Sequence, residues 1–384
     1  MAGALLFGKG GGGSKSGSSS ASLAALERRL PVIERRVQAI RERGFRRPIA
    51  PEIVTGRQAQ QAGLADLDRL EPRSAQEADQ ELLQLLGLIP ASADLRQIQS
   101  SILEDQVAGY YDTTSKRLAL VRDATGSSEA IGEITLAHEL THALDDQVFG
   151  IHDQGTVTDD RALAYTALLE GDATYVMSLY AQRYISGTGL LGATLSAGSG
   201  ASIGNLPPYI QSLLEFPYLT GESFVSSLYD VARGWKLVDF ALERRPPVST
   251  EQVIHPLKYE ANEPPLRVTM NMEPVLPGYR RTLSGSLGEF ITEQLLERHG
   301  LPRDEAERAA AGWGGDRYEL WGQEPDSVLV VRWRWDTPQD ATEFQTALRK
   351  VKFSKYSAID DRNGVITLAL ASIVDLPSRV AAGP

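Results

Sequence analysis

The sequence contains no cysteine among its 384 residues. This absence excludes disulfide scaffolds, thiolate zinc sites, iron–sulfur clusters and cysteine nucleophiles. It leaves the compartment open, because a chain without cysteine folds in oxidising and reducing surroundings alike. A metal site in this protein has to be built from other side chains.

Positive charge is in deficit, with 39 Lys and Arg against 50 Asp and Glu and a net charge of -11. We therefore expect no nucleic-acid binding, since a duplex would repel the chain as a whole. The sequence also has no apolar run long enough for a transmembrane segment. The apolar start Met1–Phe7 is short and has no basic leader, so no complete signal peptide is recognised. We expect a soluble protein, either cytoplasmic or exported.

The N-terminal region is the basic exception. Between Glu27 and Arg47 the chain carries eight Arg and three Glu. Leu26, Leu30, Ile33, Val37 and Ile40 recur at helical spacing, which predicts an amphipathic helix that Pro31 divides in two. We expect the basic face to contact the acidic body of the protein or an anionic surface. Autoinhibition by the Ser22–Leu70 segment is an open alternative.

Hydrophobic periodicity predicts an α+β fold that is predominantly helical. Two strands, 107–111 and 118–122, precede two long helices, 128–148 and 159–184. The Gly-rich segment 186–205 is expected to be a mobile loop. Further expected elements are helices at 77–86, 92–106, 208–214, 221–231, 235–243, 287–299, 303–312 and 338–351, and strands at 318–321, 327–335, 357–359 and 365–372.

The first long helix contains the sequence His138-Glu139-Leu140-Thr141-His142. The chain has only five histidines, and two of them are here. Residues four apart project from the same side of a helix, so the two imidazoles can bind one zinc ion. The carboxylate of Glu139 then stands beside the site, where it can act on a water molecule.

A catalytic zinc site needs a third protein ligand. Glu170, on the next helix, is the favoured candidate, and Asp172 is the fallback. Small neighbours, including Gly171, would let this helix approach the first one closely. Asp146, four residues after His142, is expected to orient that imidazole, whereas Asp145 is expected to be solvated.

These residues resemble the motifs of the gluzincin metallopeptidases, the thermolysin-type enzymes. The local resemblance covers His138–Ala143, Asp146 and Glu170. A wider resemblance, to a group of bacterial gluzincin-like proteins, covers segments 86–90 and 106–112, both metal-binding segments, and segments 216–218, 249–256 and 313–316.

The resemblance implies a zinc metallopeptidase with one Zn²⁺ per chain and a peptide or protein substrate. Glu139 would be the general base, and His255 and Tyr259 would be candidate donors to the oxyanion. The strand 118–122 would be an edge strand that pairs with extended substrate.

Four regions are expected: a disordered Gly/Ser tail (1–22), a helical region (23–105), a zinc metallopeptidase core (106–260) and a C-terminal α+β region (261–384). Two other functions compete with the peptidase. One is an inactive binding or scaffold protein that keeps the fold, and the other is a zinc site with a structural role only.

Overall fold

The computed structural model describes residues 17–105, 109–121, 129–151, 159–185, 205–353, 356–373 and 376–383. Residues 1–16 of the predicted tail (1–22) and residues 186–204 of the predicted loop (186–205) lie outside these residues, whereas residues 17–22 of that tail belong to a helix and are not disordered as predicted. The described residues form an α+β fold with fourteen helices and two sheets. This confirms the predicted fold class, α+β and predominantly helical. None of the described helices combines the length and the apolar character that crossing a bilayer requires.

The helices have the following bounds: α1 Gly17–Arg41, α2 Gly56–Leu70, α3 Arg73–Leu85, α4 Leu95–Asp105, α5 Glu129–Val148, α6 Asp160–Tyr184, α7 Pro208–Ala232, α8 Lys236–Glu243, α9 Thr250–Ile254, α10 Pro256–Glu260, α11 Gly288–Arg298, α12 Arg303–Ala310, α13 Pro338–Leu348 and α14 Leu376–Ala381. The strands are β1 Pro51–Val54, β2 Gly109–Asp112, β3 Arg117–Val121, β4 Arg280–Gly285, β5 Trp313–Gln323, β6 Asp326–Trp335, β7 Tyr356–Arg362 and β8 Val365–Ala371.

The basic N-terminal helix α1 packs against α5 and α6. Its predicted apolar stripe is buried throughout, with Ile33 and Val37 fully inaccessible to solvent. The predicted break at Pro31 is wrong, because Pro31 lies inside one continuous helix. On the same helix, Arg36 binds the buried carboxylate of Glu133 on α5 at 2.7 Å.

A small sheet has the strand order β1-β3-β2, and its three strands precede α5 and α6 in the chain. The expectation that strand 118–122 forms a sheet edge is wrong. β3 is the central strand: β1 pairs with it in parallel on one side, and β2 pairs with it in antiparallel on the other. Both edges of β3 are therefore already hydrogen-bonded within the protein. The sequence analysis did not predict β1.

Helices α6 and α7 cross with their backbones in contact. A Cβ atom built on Gly171 would lie 2.3 Å from the carbonyl carbon of Gly221, and one built on Gly221 would lie 2.2 Å from the carbonyl oxygen of Ala167. The glycine in α6 thus permits close approach to α7, and not to α5 as predicted. Helix α7 is a single helix that includes Pro217, where the sequence predicted two helices.

The C-terminal sheet is antiparallel and has the order β4-β5-β6-β8-β7. It is joined to the start of α6 through buried carboxylates. Asp160 accepts hydrogen bonds from the backbone and the hydroxyl of Thr250 at 2.9 and 2.5 Å. Asp316 accepts from the backbone N–H of Leu287 and of Gly288 at 2.8 and 2.9 Å.

Gly288 is required at this joint. Its φ is +73°, and a Cβ there would lie 1.8 Å from Oδ1 of Asp160. The main hydrophobic core runs without interruption from α1 through α5–α7 into β5, β6 and β8. The division of the chain into four regions stays a prediction.

Candidate metal centre

Three side chains from α5 and α6 converge on one point. Nε2 of His138 lies 3.1 Å from Nε2 of His142 and 3.2 Å from Oε2 of Glu170. The remaining pair, Nε2 of His142 and Oε2 of Glu170, is 3.4 Å apart. Distances of this size fit three ligands that share one metal ion, since ligands about 2.0–2.2 Å from zinc lie between roughly 3 and 4 Å from each other.

The electrostatics of the group suit a cation. Burial is the largest effect on His138 and lowers its pKa, which favours the neutral imidazole that a metal requires. Burial alone would raise the pKa of Glu170, but His142 and His138 outweigh it and lower that pKa to about 2. Glu170 is therefore an anion enclosed by two imidazoles.

Two atoms of the group have no hydrogen-bond partner in the described part of the chain. They are Oε1 of Glu170 and Nδ1 of His142, and both are buried. Leaving buried polar atoms unpaired costs free energy, of the order of 1–3 kcal/mol each. A divalent cation bound by the two Nε2 atoms and by the Glu170 carboxylate could also take up Oε1, whereas Nδ1 of His142 is on the far side of its ring and would need a different partner.

Glu139 follows His138 on α5, and its carboxylate is held by the neighbouring sheet. The backbone N–H of Tyr111 in β2 donates to Oε2 of Glu139 at 2.9 Å. Burial and the charge of Glu170 raise the pKa of Glu139 well above its usual range, while the Tyr111 amide acts in the opposite direction. The carboxyl group is thus fixed beside the metal-binding side chains.

The ring of Tyr218 stacks on His138, with the ring centroids 6.0 Å apart and an interplanar angle of 21°. Tyr218 belongs to α7 and lies one turn before Gly221, at the point where α7 touches α6. The close helix crossing therefore brings an aromatic side chain against one of the imidazoles. Sequence reasoning included Tyr218 in the wider resemblance but assigned it no role.

The predicted contact of Asp146 with His142 is wrong. Asp146 turns toward the small sheet, where it accepts hydrogen bonds from the hydroxyl of Tyr111 at 2.8 Å and from Nζ of Lys116 at 2.7 Å. It also accepts from the backbone N–H of Ile151 at 3.2 Å. The hydroxyl of Tyr111 in β2 and the ammonium group of Lys116, in the turn before β3, therefore bind this carboxylate in place of the neighbouring imidazole.

The predictions for Asp145 and Asp172 also need correction, because both carboxylates face a buried arginine. Asp145 is 1% exposed and not solvated. Nε of Arg41 donates to Oδ2 of Asp172 at 2.9 Å, so Asp172 does not serve as the third ligand. Burial, followed by the charge of Asp172, raises the pKa of Asp145 well above its usual range and favours its protonated form.

Sequence reasoning missed Arg41 itself. It is one of eight arginines in a basic stretch, and nothing local separates it from its exposed neighbours. Its position directly after Ile40, the last residue of the apolar stripe, was the one local feature that could have indicated that Arg41 is buried.

His255 and Tyr259 lie at the α9–α10 segment. Nε2 of His255 pairs with Oε1 of Glu289 at 2.9 Å. The hydroxyl of Tyr259 donates to the backbone carbonyl of Arg245 at 2.7 Å and is buried. Both polar groups thus have partners within the C-terminal half, and their proposed contact with an oxyanion stays a prediction.

Comparison with known proteins gives little about activity. A domain of unknown function (DUF8575) matches residues 276–370, which belong to the C-terminal sheet region. No curated protein matches the chain. A crystal structure from Chloroflexus aurantiacus, described as a candidate hydrolase with a novel fold, is similar at a TM-score of 0.45 and 17% identity, over 65% of this chain and 92% of that one.

Proposed function

We propose that the protein is a zinc-dependent metallopeptidase. The observation that carries the proposal is the convergence of His138, His142 and Glu170 on one point with Glu139 beside them. Each of these four side chains is 1% exposed. Without a cation this packing leaves the buried Oε1 of Glu170 unpaired, whereas a cation bound to the Glu170 carboxylate could satisfy it.

The ligand types favour zinc. Two imidazoles and one carboxylate form the His₂Glu set typical of catalytic zinc, with a fourth position left for water or substrate. Calcium and magnesium prefer oxygen ligands alone, which a site with two imidazoles does not offer. A zinc ion held there supplies Lewis acidity, which polarises a carbonyl group and makes a water molecule more acidic.

The protein's own residues would then handle the proton. Glu139 accepts a proton from the attacking water and returns it to the leaving amine. The Tyr111 amide holds the Glu139 carboxylate in place, and Tyr218 fixes the plane of the His138 ring. The substrate class, a peptide or protein, follows from the resemblance of the motif to the gluzincins.

Hydrolysis of a diverse peptide library tests this proposal. We expect cleavage by the wild type, loss of cleavage with a chelator, and restoration by added zinc. Glu139→Gln should lower the rate by about 10²-fold or more while zinc is retained, because a positioned general base contributes about 10²–10⁴-fold. Glu243→Gln, at a half-exposed glutamate on α8, is the matched control and should leave the rate unchanged.

The burial of the four side chains favours a second candidate, a metal-binding protein without catalysis. A structural zinc site is closed by protein, whereas a catalytic site keeps a position open. A hydroxamate, which binds zinc through two oxygens, separates the two. Binding of the hydroxamate to the zinc-loaded protein would support catalysis, and zinc that is retained but inaccessible to it would support the second candidate.

A further inference from the structure

The end of helix α1 carries a buried ion cluster that connects to both metal-binding helices. Arg41 is fully buried. Its Nε donates to Asp172 on α6 at 2.9 Å, and its Nη2 lies 3.6 Å from Oδ1 of Asp145 on α5. Its Nη1 donates to Asp239 on α8 at 2.7 Å, so one guanidinium contacts three helices.

The two carboxylates on α5 and α6 are close to the metal-binding residues along the chain. Asp145 is three residues after His142, and Asp172 is two residues after Glu170. Two residues rotate a helix by about 200°, so Asp172 and Glu170 project from opposite sides of α6. Arg41 therefore holds α6 from the side that faces away from the ligand group.

The guanidinium is fixed on its other sides as well. It lies over the ring of Trp235, 4.3 Å from the ring centroid. The indole N–H of Trp235 donates to the backbone carbonyl of Ile40 at 2.7 Å, which anchors the backbone next to Arg41. Arg43 supplies a second positive charge to Asp239.

We propose that Arg41 is a positioning residue for the metal centre. Its hydrogen bond to Asp172 on α6 and its contact with Asp145 on α5 fix the distance between these two helices at the height of His142 and Glu170. A metal site tolerates errors of only about 0.2 Å in ligand distance. The inference rests on the proposed metal centre. It explains how the ligands on α5 and the ligand on α6 are held at a common point.

A matched control is present on the same helix. Arg36 also reaches both helices, binding Glu133 on α5 at 2.7 Å and the hydroxyl of Tyr180 on α6 at 3.0 Å. Glu133 is five residues before His138, and Tyr180 is ten residues after Glu170. Loss of Arg36 removes a similar link without releasing the carboxylates nearest the ligands.

The test compares zinc affinity, measured by competition with a chromogenic chelator, and the visible spectrum of the Co²⁺-loaded protein. We expect Arg41→Met to weaken zinc binding by about 10–100-fold, the range for residues that orient metal ligands. Its Co²⁺ spectrum should change as well, since the geometry around the metal changes. Arg36→Met should leave both readouts as in the wild type.

Arg41→Lys keeps the proposal testable if Arg41→Met does not fold. A lysine retains the charge but lacks the planar fork, so it cannot bind carboxylates on two helices in the same way. We expect the folded lysine variant to bind zinc more weakly than the wild type. A folded Arg41 variant with wild-type zinc affinity and Co²⁺ spectrum would overturn the positioning role, whereas failure of the wild type to bind zinc would overturn the proposed function itself.

Discussion

The crossing of α6 and α7 depends on two glycines that have no space for a methyl group. Gly171 directly follows the candidate ligand Glu170, and its partner Gly221 lies one turn after Tyr218. The same contact therefore sets the position of a carboxylate on one helix and of the aromatic ring that covers His138 on the other. The packing of α6 against α7 therefore helps to set the geometry of the candidate metal centre.

Gly171→Ala should destabilise the protein. The added Cβ would stand 2.3 Å from backbone atoms of Gly221, which cannot move aside as a flexible side chain can. We expect a loss of about 1–3 kcal/mol in the free energy of unfolding, the usual range for overpacking, measured by chemical denaturation.

Gly322→Ala is the control for this substitution. At Gly322 the nearest atom to an added Cβ is a side-chain methyl carbon at 3.5 Å, an ordinary contact. Its effect should stay within about 0.5 kcal/mol. Equal stability of the Gly171 and Gly322 variants would contradict the close crossing of α6 and α7.

The pair His255–Glu289 predicts a specific pH dependence. The hydrogen bond with Glu289 raises the pKa of His255, although burial acts to lower it. The stabilisation from a raised pKa is fully present below the unfolded value of about 6.5 and is lost as the pH rises through the folded pKa. We therefore expect His255→Asn to cost more stability at pH 6 than at pH 9.

His299 provides a control of opposite sign. Burial is the main effect on His299 and lowers its pKa, against the hydrogen bond to the backbone of Leu295. His299→Asn should then cost less at pH 6 than at pH 9. Denaturation curves at both pH values check the two signs, and an NMR titration of the wild type should show the pKa of His255 above that of His299.

At the level of residues, the sequence identified the two histidines of the candidate metal centre because their spacing within one helix is a local property. It failed for Asp145 and Asp146, which are equally local to that helix. Their partners Arg41, Tyr111 and Lys116 come from elements at least 30 residues away in the chain. A short-range pattern contains no information on which distant cation reaches a carboxylate.

Among the elements, α1 is part of the core and not a detachable segment. Its apolar stripe packs against α5 and α6, and Ile33 is fully buried. We expect Ile33→Ala to lower the free energy of unfolding by about 2–5 kcal/mol, as for other large-to-small core changes. Arg35→Ala, at an exposed position two residues away, should change it by about 0.5 kcal/mol or less.

The same element decides the autoinhibition hypothesis. If α1 is a core helix, a chain truncated after it should lose stability and zinc binding. Higher peptidase activity of a stable truncated protein would contradict the core role and support an inhibitory one.

Element prediction succeeded for the long helices α5 and α6, which run for 20 and 25 residues without a proline. It failed for β1 and β4, which the sequence analysis did not identify as strands. The four residues of β1 are too few for a clear alternation, and this strand forms because β3 offers it a parallel edge. The sequence predicted separate helices at 208–214 and 221–231, but the structure has one continuous α7, in which Pro217 lies between the buried residues Phe216 and Tyr218.

On the scale of the whole molecule, one hydrophobic core links the metal-binding helices to the C-terminal sheet. Ser286 fixes the start of α6 against that sheet, because its carbonyl accepts from the backbone N–H of Asp160 and its hydroxyl donates to Asp316 in β5. The hydrophobic periodicity of the chain predicted an α+β fold, but it could not predict that buried carboxylates would connect its two halves. These contacts join residues far apart in sequence.

The most direct test is a zinc titration of protein from which metal has been stripped, followed by calorimetry, on the wild type and the His138→Ala, His142→Ala and Glu170→Gln variants. We predict one zinc ion per wild-type chain and a large loss of affinity in each variant, with a rise in unfolding temperature on zinc binding only in the wild type. Failure of the wild type to bind zinc, or equal binding by the wild type and all three variants, would contradict the assignment of these side chains as metal ligands.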